Sequence, residues 1–512
     1  MSVKGILFVA ALTSLLLPLM LTRDLIFPSQ LKGLPTSSSV LYSSSEVILQ
    51  RVSENGTKEC HNITTRAAYF FGLPMPGNEG PITMSTGVVH KFWIVSYAAD
   101  GRRRCRGGDF YETDLSGHKW KSRPPITDYG NGSYLVELKV DKGFEGNYTL
   151  KAILLYSNFH GMDKNPEPWA LETQVFQLQI HFVNNKIQRP SPLPLCTSKS
   201  LKSAKTWLGK WTRMKFDESC KLDEEGRYRC LPDDEQCDDS QCSGALERLE
   251  SNGWVYSAHC KFRIWSFSDA WKCLDGKKLF FWGDSNHRDT VRNLVNFVLG
   301  HNIEIPLMTR TFTLNVTNPS NPKQQVRLFQ VFNGHSDSQK NYMGLKSLSV
   351  KEYRELVKEE FFRGGQPDAV ILNSGLHDGH AWKRTQDFAI AAEIASYFWW
   401  SLLGGDGCKA RIVIRNTIAT AGHARASPSN PQKMAAFNSI LSDEFGRRLK
   451  SLENLMFVDN FDMTFPWHYN HDCSDGTHYG VEPSLSPWMD RVGHFNFVDL
   501  MLVHVLLTGI CL

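Results

Sequence analysis

Apolar and polar residues follow different patterns in the two halves of the chain. In the N-terminal half they alternate along residues 91–97, 134–140, 148–154 and 174–182. A period of two predicts β-strands that have one buried face. The turn residues Gly143–Gly146 separate the second and third of these segments, so we expect those two strands to form a β-hairpin. Several short strands of this kind predict a β-sandwich.

After Lys277 the pattern changes to short apolar runs, which are typical of buried strands in a parallel sheet. The predicted strands are Leu279–Trp282, Val326–Phe332, Ala369–Leu372, Arg411–Ile414 and Leu455–Val458. The segments with helical spacing are Arg288–Leu299, Val350–Phe362, Phe388–Leu403, Lys433–Leu449 and a closing helix, Phe497–Leu512. This β-α-β repetition predicts an α/β unit with a doubly wound parallel sheet.

Composition marks the boundaries between segments. An apolar run follows Lys4, residues 36–46 are rich in serine, and three prolines interrupt residues 189–194. These features are typical of a leader, a tether and a linker. We therefore divide the chain into a signal peptide or signal-anchor (1–24), a serine-rich tether (25–54), a β-sandwich of the immunoglobulin-like type (55–186), a proline linker with a cysteine-rich segment (187–275) and an α/β domain (276–512).

Cysteine usage indicates the secretory pathway. Seven of the twelve cysteines lie between Cys196 and Cys273, and such a dense group is typical of a disulfide framework. Zinc is the alternative, but the closest spacing in this group, C-x4-C, is unusual for zinc sites and favours disulfides. Cys60 and Cys105 are the only cysteines of the predicted sandwich, and we expect them to pair. N-glycosylation sequons agree with this route; they lie at Asn55, Asn62, Asn131, Asn147 and Asn315.

Composition and charge exclude several classes of protein. With 41% hydrophobic and 12% aromatic residues the chain can form large cores, which excludes a wholly disordered protein. The 57 basic and 53 acidic residues leave a net charge of +4, too small to drive nucleic-acid binding by charge. Residues 102–106 are rich in arginine, for which a solvated loop is favoured over an anionic-glycan patch. His468, His471, Cys473 and His478 fit no familiar zinc spacing, so no metal site is predicted.

Candidate chemistry begins at the end of the first predicted α/β strand. There Phe-Phe-Trp-Gly-Asp-Ser places Ser285 before a predicted helix, at the sheet edge where ligands bind. The first free N–H groups of that helix can stabilise an oxyanion. The alternative is that Asp284 and Ser285 only cap the helix. Asp475 precedes His478 by three residues, so its carboxylate can accept one imidazole N–H and leave the other nitrogen to take a serine proton.

Two further strand ends offer oxyanion donors. Gly334 follows the second α/β strand and can present a backbone N–H. Asn373 follows the third strand and can present a side-chain amide, with His377 as the alternative donor. Together with Ser285 and its base, these positions predict a serine nucleophile with an oxyanion-binding site.

The order of these motifs resembles that of the SGNH or GDSL-like hydrolases, and more closely that of their PC-esterase branch. With the sandwich and the cysteine-rich segment in front, the layout is similar to the neurexophilin and PC-esterase domain family over almost the entire chain after the leader. The resemblance implies that Ser285 is the nucleophile, His478 the base and Asp475 its orienting acid, with Gly334 and Asn373 as oxyanion donors. It also implies acyl-ester chemistry on glycans that are secreted or lie in the Golgi lumen.

The expected function is the transfer or removal of an acyl group, with acetyl as the expected group, on a glycan or glycoprotein. Hydrolysis and transfer share the acyl-enzyme, so the direction stays open. No tightly bound cofactor is expected, whereas a transferase would use an acyl donor such as acetyl-CoA. A membrane partner is expected only if the leader is uncleaved. The rival hypothesis is a secreted, neurexophilin-like binding protein whose sandwich engages a cell-surface receptor and whose esterase fold does not turn over.

Overall fold

The structure is a computed structural model. It describes residues 64–73, 80–168, 176–184, 193–202, 207–213, 221–222, 228–229, 254–301, 303, 305, 310–334, 343–404, 409–468, 474–480 and 497–512. They all belong to one compact unit, residues 42–512. The predicted leader and tether, Asn55, Asn62 and Cys60 lie outside the described residues.

Two β-sheets form the N-terminal part of this unit. Their strands are β1 (Ala67–Phe71), β2 (Ile82–Ser85), β3 (His90–Tyr97), β4 (Phe110–Gly117), β5 (Trp120–Ser122), β6 (Ile126–Asp128), β7 (Ser133–Leu138), β8 (Gly146–Tyr156), β9 (Phe176–Val183), β10 (Lys210–Arg213) and, after the two-residue pair β11 (Lys221–Leu222) and β12 (Tyr228–Arg229), β13 (Trp254–Ser257). One sheet has the order β1-β3-β7-β6 and the other β13-β10-β5-β4-β8-β9-β2. All their pairs are antiparallel except β2 with β9.

Alternating side chains of the two sheets meet in one core. Phe92 and Ile94 of β3 and Val136 of β7 are fully buried, and they belong to the same apolar cluster as Leu115 of β4 and Leu150 of β8. The period of two thus points the apolar face of each sheet toward the other. Two layers around one core are what the strand pattern predicts; the immunoglobulin-like type stays a prediction.

The predicted hairpin of residues 134–154 is wrong. β7 pairs with β3 and β6, whereas β8 pairs with β4 and β9 in the opposite sheet. The chain crosses from one layer to the other between these strands. Both strands bury alternate residues in the shared core, and alternation identifies the buried face of a strand but not its neighbour.

A six-stranded sheet forms the C-terminal part. Its strands are β14 (Lys278–Gly283), β15 (Phe312–Asn318), β16 (Asn321–Phe332), β17 (Ala369–Leu372), β18 (Arg411–Arg415) and β19 (Leu455–Val458), in the spatial order β15-β16-β14-β17-β18-β19. The five parallel strands include all those expected from the apolar runs, and in chain order they lie 2-1-3-4-5, a doubly wound arrangement. β15 is an additional antiparallel edge strand.

Helices pack around this sheet. They are α1 (Phe267–Leu274), α2 (Ser285–Asn293), α3 (Lys351–Phe362), α4 (Asp378–Ala381), α5 (Thr385–Leu402), α6 (Pro431–Leu449), α7 (Asn460–Thr464) and α8 (Phe497–Cys511). α2 begins three residues before its predicted start because the Asp284 side chain caps it, and it continues as a π-helical turn over Leu294–Val298. Within the described ranges, none of the helices has the length and apolar character needed to cross a membrane.

The cysteines of the segment 187–275 are linked in a way the sequence predicts only in part. Cys196 bonds to Cys260 inside the segment, whereas Cys273 bonds to Cys511 at the end of α8, 238 residues away. The second bridge is therefore not part of a local framework. Cys105 is also disulfide-bonded, and its expected partner Cys60 lies outside the described residues. Every cysteine in the described ranges is in the disulfide state.

Two surface predictions can be compared with the structure. Asn147 and Asn315 are exposed, as glycosylation requires, while Asn131 is partly buried. The arginine-rich residues 102–106 do not form a fully solvated loop, because Arg104 is 1% exposed.

Candidate active site

Three strand ends meet at one edge of the parallel sheet. β14 lies between β16 and β17, and the register places Trp282 beside Val331 on one side and Leu372 on the other. The residues that follow these strands therefore share the carboxyl edge. In a sheet of order 2-1-3-4-5, the gap beside the first strand is the switch point at which ligands bind. Ser285 and Asn373 follow the two strands that border this gap.

Ser285, His478 and Asp475 form a continuous hydrogen-bonded chain. The Ser285 Oγ lies 2.6 Å from His478 Nε2, although the two residues are 193 positions apart. His478 Nδ1 lies 2.8 Å from Asp475 Oδ2. Because the carboxylate can only accept, Nδ1 carries a proton and Nε2 is left to accept the serine hydroxyl. The side chains of His478 and Asp475 are 19% and 21% exposed, so the site is open to a substrate but largely shielded.

The loop that carries the acid and the histidine is a tight turn. Asp475 Oδ1 accepts the N–H groups of both Thr477 and His478 at 2.8 Å. Gly476 adopts a φ of +108°, which non-glycine residues rarely do, and its carbonyl accepts the Ala421 N–H at 2.8 Å. The Asp-x-x-His spacing therefore holds its two functional side chains together through local bonds.

The charges of this pair shift both pKa values in the direction that stabilises the ion pair. Burial alone would lower the pKa of His478, but the hydrogen bond and charge of Asp475 outweigh it and raise the pKa above its usual value. Burial would raise the pKa of Asp475, but His478 and the N–H groups of the turn hold it below the usual range. Asp475 is therefore ionised whenever His478 titrates.

The predicted oxyanion donors have different surroundings. Gly334 is buried two residues beyond the end of β16. The Asn373 side-chain amide donates to the Arg415 carbonyl at 2.9 Å, so one of its two hydrogens ties β17 to β18. The alternative donor, His377, is buried next to the Phe332 ring. Burial lowers the pKa of His377 to about 4, against the opposing charge of Asp284, so this imidazole is neutral near pH 7.

Asn333 supports the site in a way that sequence reasoning missed. Its side-chain amide donates to the Asn373 carbonyl at 3.0 Å and to Ser374 Oγ at 3.1 Å. Ser374 in turn donates to Asp378 at 2.5 Å, whose pKa burial raises to about 6. Asn333 thus fixes the end of β16 against the loop after β17. Its position directly before Gly334, at the end of an apolar run, is the signal that could have found it.

A buried charged cluster beneath the site was also missed. All residues of α2 after Ser285 are buried, although they include Arg288, Asp289 and Arg292. Arg415 and Asp499 join them with 1% and 4% of their surface exposed. A helix that is polar on all sides is expected to face solvent, so its burial could not be foreseen from periodicity.

Among the described histidines of the C-terminal region, His468 and His478 have different acidic partners. His468 Nε2 lies 3.4 Å from the Glu112 carboxylate of the sandwich. His468 is therefore not placed as a zinc ligand beside His478. His471 and Cys473 lie outside the described residues. Over the described ranges, no group of three or more histidine, cysteine or acidic side chains is arranged to hold a metal ion.

Comparison with known proteins gives no sequence match, either to a family model or to a curated protein. Three solved structures share low similarity with the chain. The S-layer protein SbsC (domains 4 and 5) has a TM-score of 0.14 and 11% identity, covering 23% of this chain and 53% of its own. A peptidoglycan O-acetylesterase has a TM-score of 0.28 and 9% identity, covering 47% of this chain and 93% of its own. An aryl esterase of M. smegmatis has a TM-score of 0.25 and 12% identity, covering 45% and 98%. This chain thus spans about half of the SbsC fragment, and TM-scores of this size do not establish a shared fold.

Proposed function

We propose that the protein is a serine-dependent enzyme that moves or removes an acyl group, with acetyl as the expected group, on a glycan hydroxyl. The observation that carries the proposal is the hydrogen-bonded chain from Asp475 through His478 to Ser285 at the carboxyl edge of β14. Nucleophile, base and orienting acid in this order are the recognised requirement for acyl transfer through serine.

The geometry supports a two-step reaction. His478 Nε2 takes the Ser285 hydroxyl proton as Oγ bonds to the acyl carbonyl carbon, and the carbonyl oxygen becomes an oxyanion. The N–H groups of Ser285 and Gly334, with Asn373 or His377, are the proposed donors to that oxyanion. Collapse of this intermediate breaks the bond to the leaving group, which takes the proton from His478. Water or a sugar hydroxyl then gives its proton to His478 as it attacks the acyl carbon. When this second intermediate collapses, the bond from the acyl carbon to Ser285 Oγ breaks and His478 returns the proton to Oγ.

The glycan and the secretory compartment are the finer parts of this proposal. Disulfide-bonded Cys196, Cys260, Cys273 and Cys511 suit an oxidising compartment, and the resemblance to the neurexophilin and PC-esterase domain family supplies the substrate class. Acetyl-CoA stays a proposed donor for the transfer direction. The rival reading as a receptor-binding protein would not require Ser285 and His478 to be in contact.

An acceptor experiment tests the activity and its direction. The purified protein is given an acetyl ester donor with increasing concentrations of a glycan acceptor, and both free acetate and acetylated glycan are measured. Acetylated glycan that rises at the expense of acetate supports transfer, whereas acetate release independent of acceptor supports hydrolysis. Product formation that survives Ser285→Ala, with Ser266→Ala as the control, would rule out the serine mechanism. Ser266 also stands at the start of a helix, where it accepts the Asp269 N–H, but it lies outside the proposed site.

A further inference from the structure

The Asp475–His478 turn is held together internally, but its own bonds do not fix it against Ser285. Asp475 bonds to the turn's own N–H groups and to the His478 ring, so local bonds hold these two side chains to each other as one unit. The contact that matters for proton transfer, His478 with Ser285, needs this unit to be docked on the helix that begins with Ser285. A displacement of about 1 Å of a reacting group can reduce a rate roughly 100-fold.

The Ala421 N–H holds the turn through the Gly476 carbonyl, and two further docking contacts come from α2 itself. Arg292, two turns beyond Ser285 on the same helix, donates to the Gly480 carbonyl at 2.5 Å. Asn286, the residue after Ser285, donates to the Thr477 carbonyl at 3.2 Å. The helix that presents the serine therefore also binds the backbone on both sides of His478, at Thr477 and at Gly480.

Gly480 reaches this position because it has no side chain. A Cβ at residue 480 would lie 2.8 Å from the Asp289 Cβ and 3.1 Å from the Asp499 carboxyl group. The first distance is shorter than carbon atoms normally approach, and a Cβ is attached directly to the backbone, so it cannot rotate away. The loop therefore rests directly on two acidic side chains.

Asp499 is itself held firmly in place. Its carboxylate accepts hydrogen bonds from Thr290 and Asn293 of α2, both at 2.7 Å, and lies 3.7 Å from the Arg415 guanidinium. The far end of its helix, α8, is tied to α1 by the Cys273–Cys511 disulfide. α8 thus holds the Asp499 side chain in a fixed position against Gly480.

We infer that Arg292, Gly480 and Asp499 are positioning residues that dock the Asp475–His478 unit on the serine helix. The inference rests on the proposed function, because the role assigned is to keep His478 in contact with the nucleophile. None of the three touches Ser285 in the contacts described; they act through the loop that carries His478.

The test measures how fast a fluorophosphonate labels the full-length protein, with the rate constant and the final amplitude recorded separately. In Gly480→Ala the added methyl group displaces the loop, so we expect the labelling rate constant to fall roughly 10- to 100-fold while the labelled fraction stays near that of wild type. The apparent pKa of the rate should stay above the usual histidine value, because Asp475, which raises it most, lies in the same turn as His478, whereas the charges of Asp289 and Arg288 on α2 contribute less. A purely structural defect would instead lower the labelled fraction at an unchanged rate constant.

Two further variants make the result decisive. Gly446→Ala is the matched control, since a Cβ there meets only the Phe457 ring at an ordinary 3.4 Å, and it should label like wild type. Arg292→Lys keeps the buried positive charge but has no guanidinium to reach the Gly480 carbonyl, so its labelling rate constant should also fall. This variant tests the inference if Gly480→Ala does not fold. Wild-type rate constants in Arg292→Lys, or in a folded Gly480→Ala, would overturn the inference alone. A wild-type protein that is not labelled at Ser285 would overturn the proposed function, and this inference with it.

Discussion

At the scale of single residues, the pKa of His478 sets the pH range of the proposed reaction. His478 must be neutral to take the serine proton, and its pKa lies above the usual value because Asp475 outweighs burial. Activity should therefore rise with pH through an apparent pKa above about 6.5, the usual histidine value. A pH profile of kcat/KM measures this, and a midpoint below the usual histidine value would contradict it.

Asp475→Asn tests the cause of that shift. The amide cannot stabilise the imidazolium, so the largest influence that opposes burial is lost, and the midpoint of the profile should move to lower pH. The rate should fall roughly 10⁴-fold, as expected when the imidazole is left in the wrong tautomer. A large loss of rate with no movement of the midpoint would show that Asp475 does not set the pKa of His478.

Replacing Asn373 and replacing His377 should affect different properties, the first the stability of the fold and the second the catalytic rate. Asn373→Ala removes the donor to the buried Arg415 carbonyl, so we expect a loss of about 1–3 kcal/mol in the free energy of unfolding. His377→Ala should leave stability closer to wild type and lower kcat by roughly 10²- to 10³-fold if its ring is the oxyanion donor. Urea unfolding and steady-state kinetics on both variants check this. The reverse pattern would favour Asn373 as the donor.

The sequence predicted those residues of the proposed site whose positions follow from their neighbours in the chain. Asp475 and His478 lie within one turn, and Ser285 follows an apolar run, so their proximity to a sheet edge could be foreseen. The roles of Arg292 and Asp499 could not be foreseen, because they depend on long-range contacts between α2, α8 and the loop at Gly480. Periodicity describes one element at a time and does not report which polar groups will find partners in the core.

At the scale of elements, buried polar groups fix where helices and strands end. Lys278 at the start of β14 is 1% exposed. Its ammonium donates to the carbonyls of Phe361, Arg363 and Gly365 at 2.5–2.8 Å. It therefore closes the end of α3, where helix carbonyls otherwise lack partners.

Lys278→Met should leave these carbonyls without donors and lower the free energy of unfolding by about 3 kcal/mol or more. Lys358→Met on the same helix is the control. The Lys358 side chain is 45% exposed and pairs with Glu355, so its loss should cost about 0.5 kcal/mol or less. Denaturant unfolding of both variants makes the comparison, and similar losses would show that the Lys278 contacts do not stabilise the helix end.

Strands that are buried on both faces were predicted from the sequence more accurately than a strand with an exposed face. Ala369–Leu372 and Leu455–Val458 have the predicted bounds because continuous apolar runs mark strands buried on both faces. The edge strand β15 was missed because one of its faces is exposed and its sequence resembles that of a surface segment. The pairing of β7 and β8 was wrong because both strands carry the same alternation whichever sheet they join.

At the scale of the whole molecule, the sandwich and the α/β part share buried ionic contacts. Glu112 of β4 is fully buried, and it binds Arg425 and lies 3.4 Å from His468. Tyr156 of β8 donates to the Arg425 carbonyl at 2.6 Å. Ala421, just before the short helix that contains Arg425, bonds to the turn of His478 through Gly476. The sandwich therefore braces a segment that adjoins the proposed site.

Glu112→Ala should remove the buried carboxylate that pairs with Arg425 and lower the free energy of unfolding by about 3–5 kcal/mol. Glu137→Ala is the matched control in the same sandwich, because Glu137 pairs with Lys91, whose side chain is 58% exposed, and its loss should cost about 1 kcal/mol or less. Thermal unfolding of the two variants checks this. A loss in Glu112→Ala no larger than in the control would show that the two parts do not depend on this contact.

The whole-molecule arrangement was the hardest part to predict from sequence. Strands β10 and β13 come from the segment expected to be a cysteine-rich unit, yet they extend a sheet of the sandwich. Cys273 pairs with Cys511 rather than with a nearby cysteine. Neither contact leaves a local signature, because residues far apart in the chain can be matched only once the fold brings them together.

The most direct test of the proposed serine mechanism is the site at which a fluorophosphonate attaches to the wild-type protein. Peptide mapping by mass spectrometry should find the adduct on Ser285. Labelling should be lost in Ser285→Ala and strongly slowed in His478→Ala, with both variants folded. Turnover of an acetyl ester should fall by roughly 10⁴-fold or more in the same two variants, because members of one catalytic unit fail together. An adduct on another residue, or acetyl-ester turnover that persists in folded Ser285→Ala, would contradict the account.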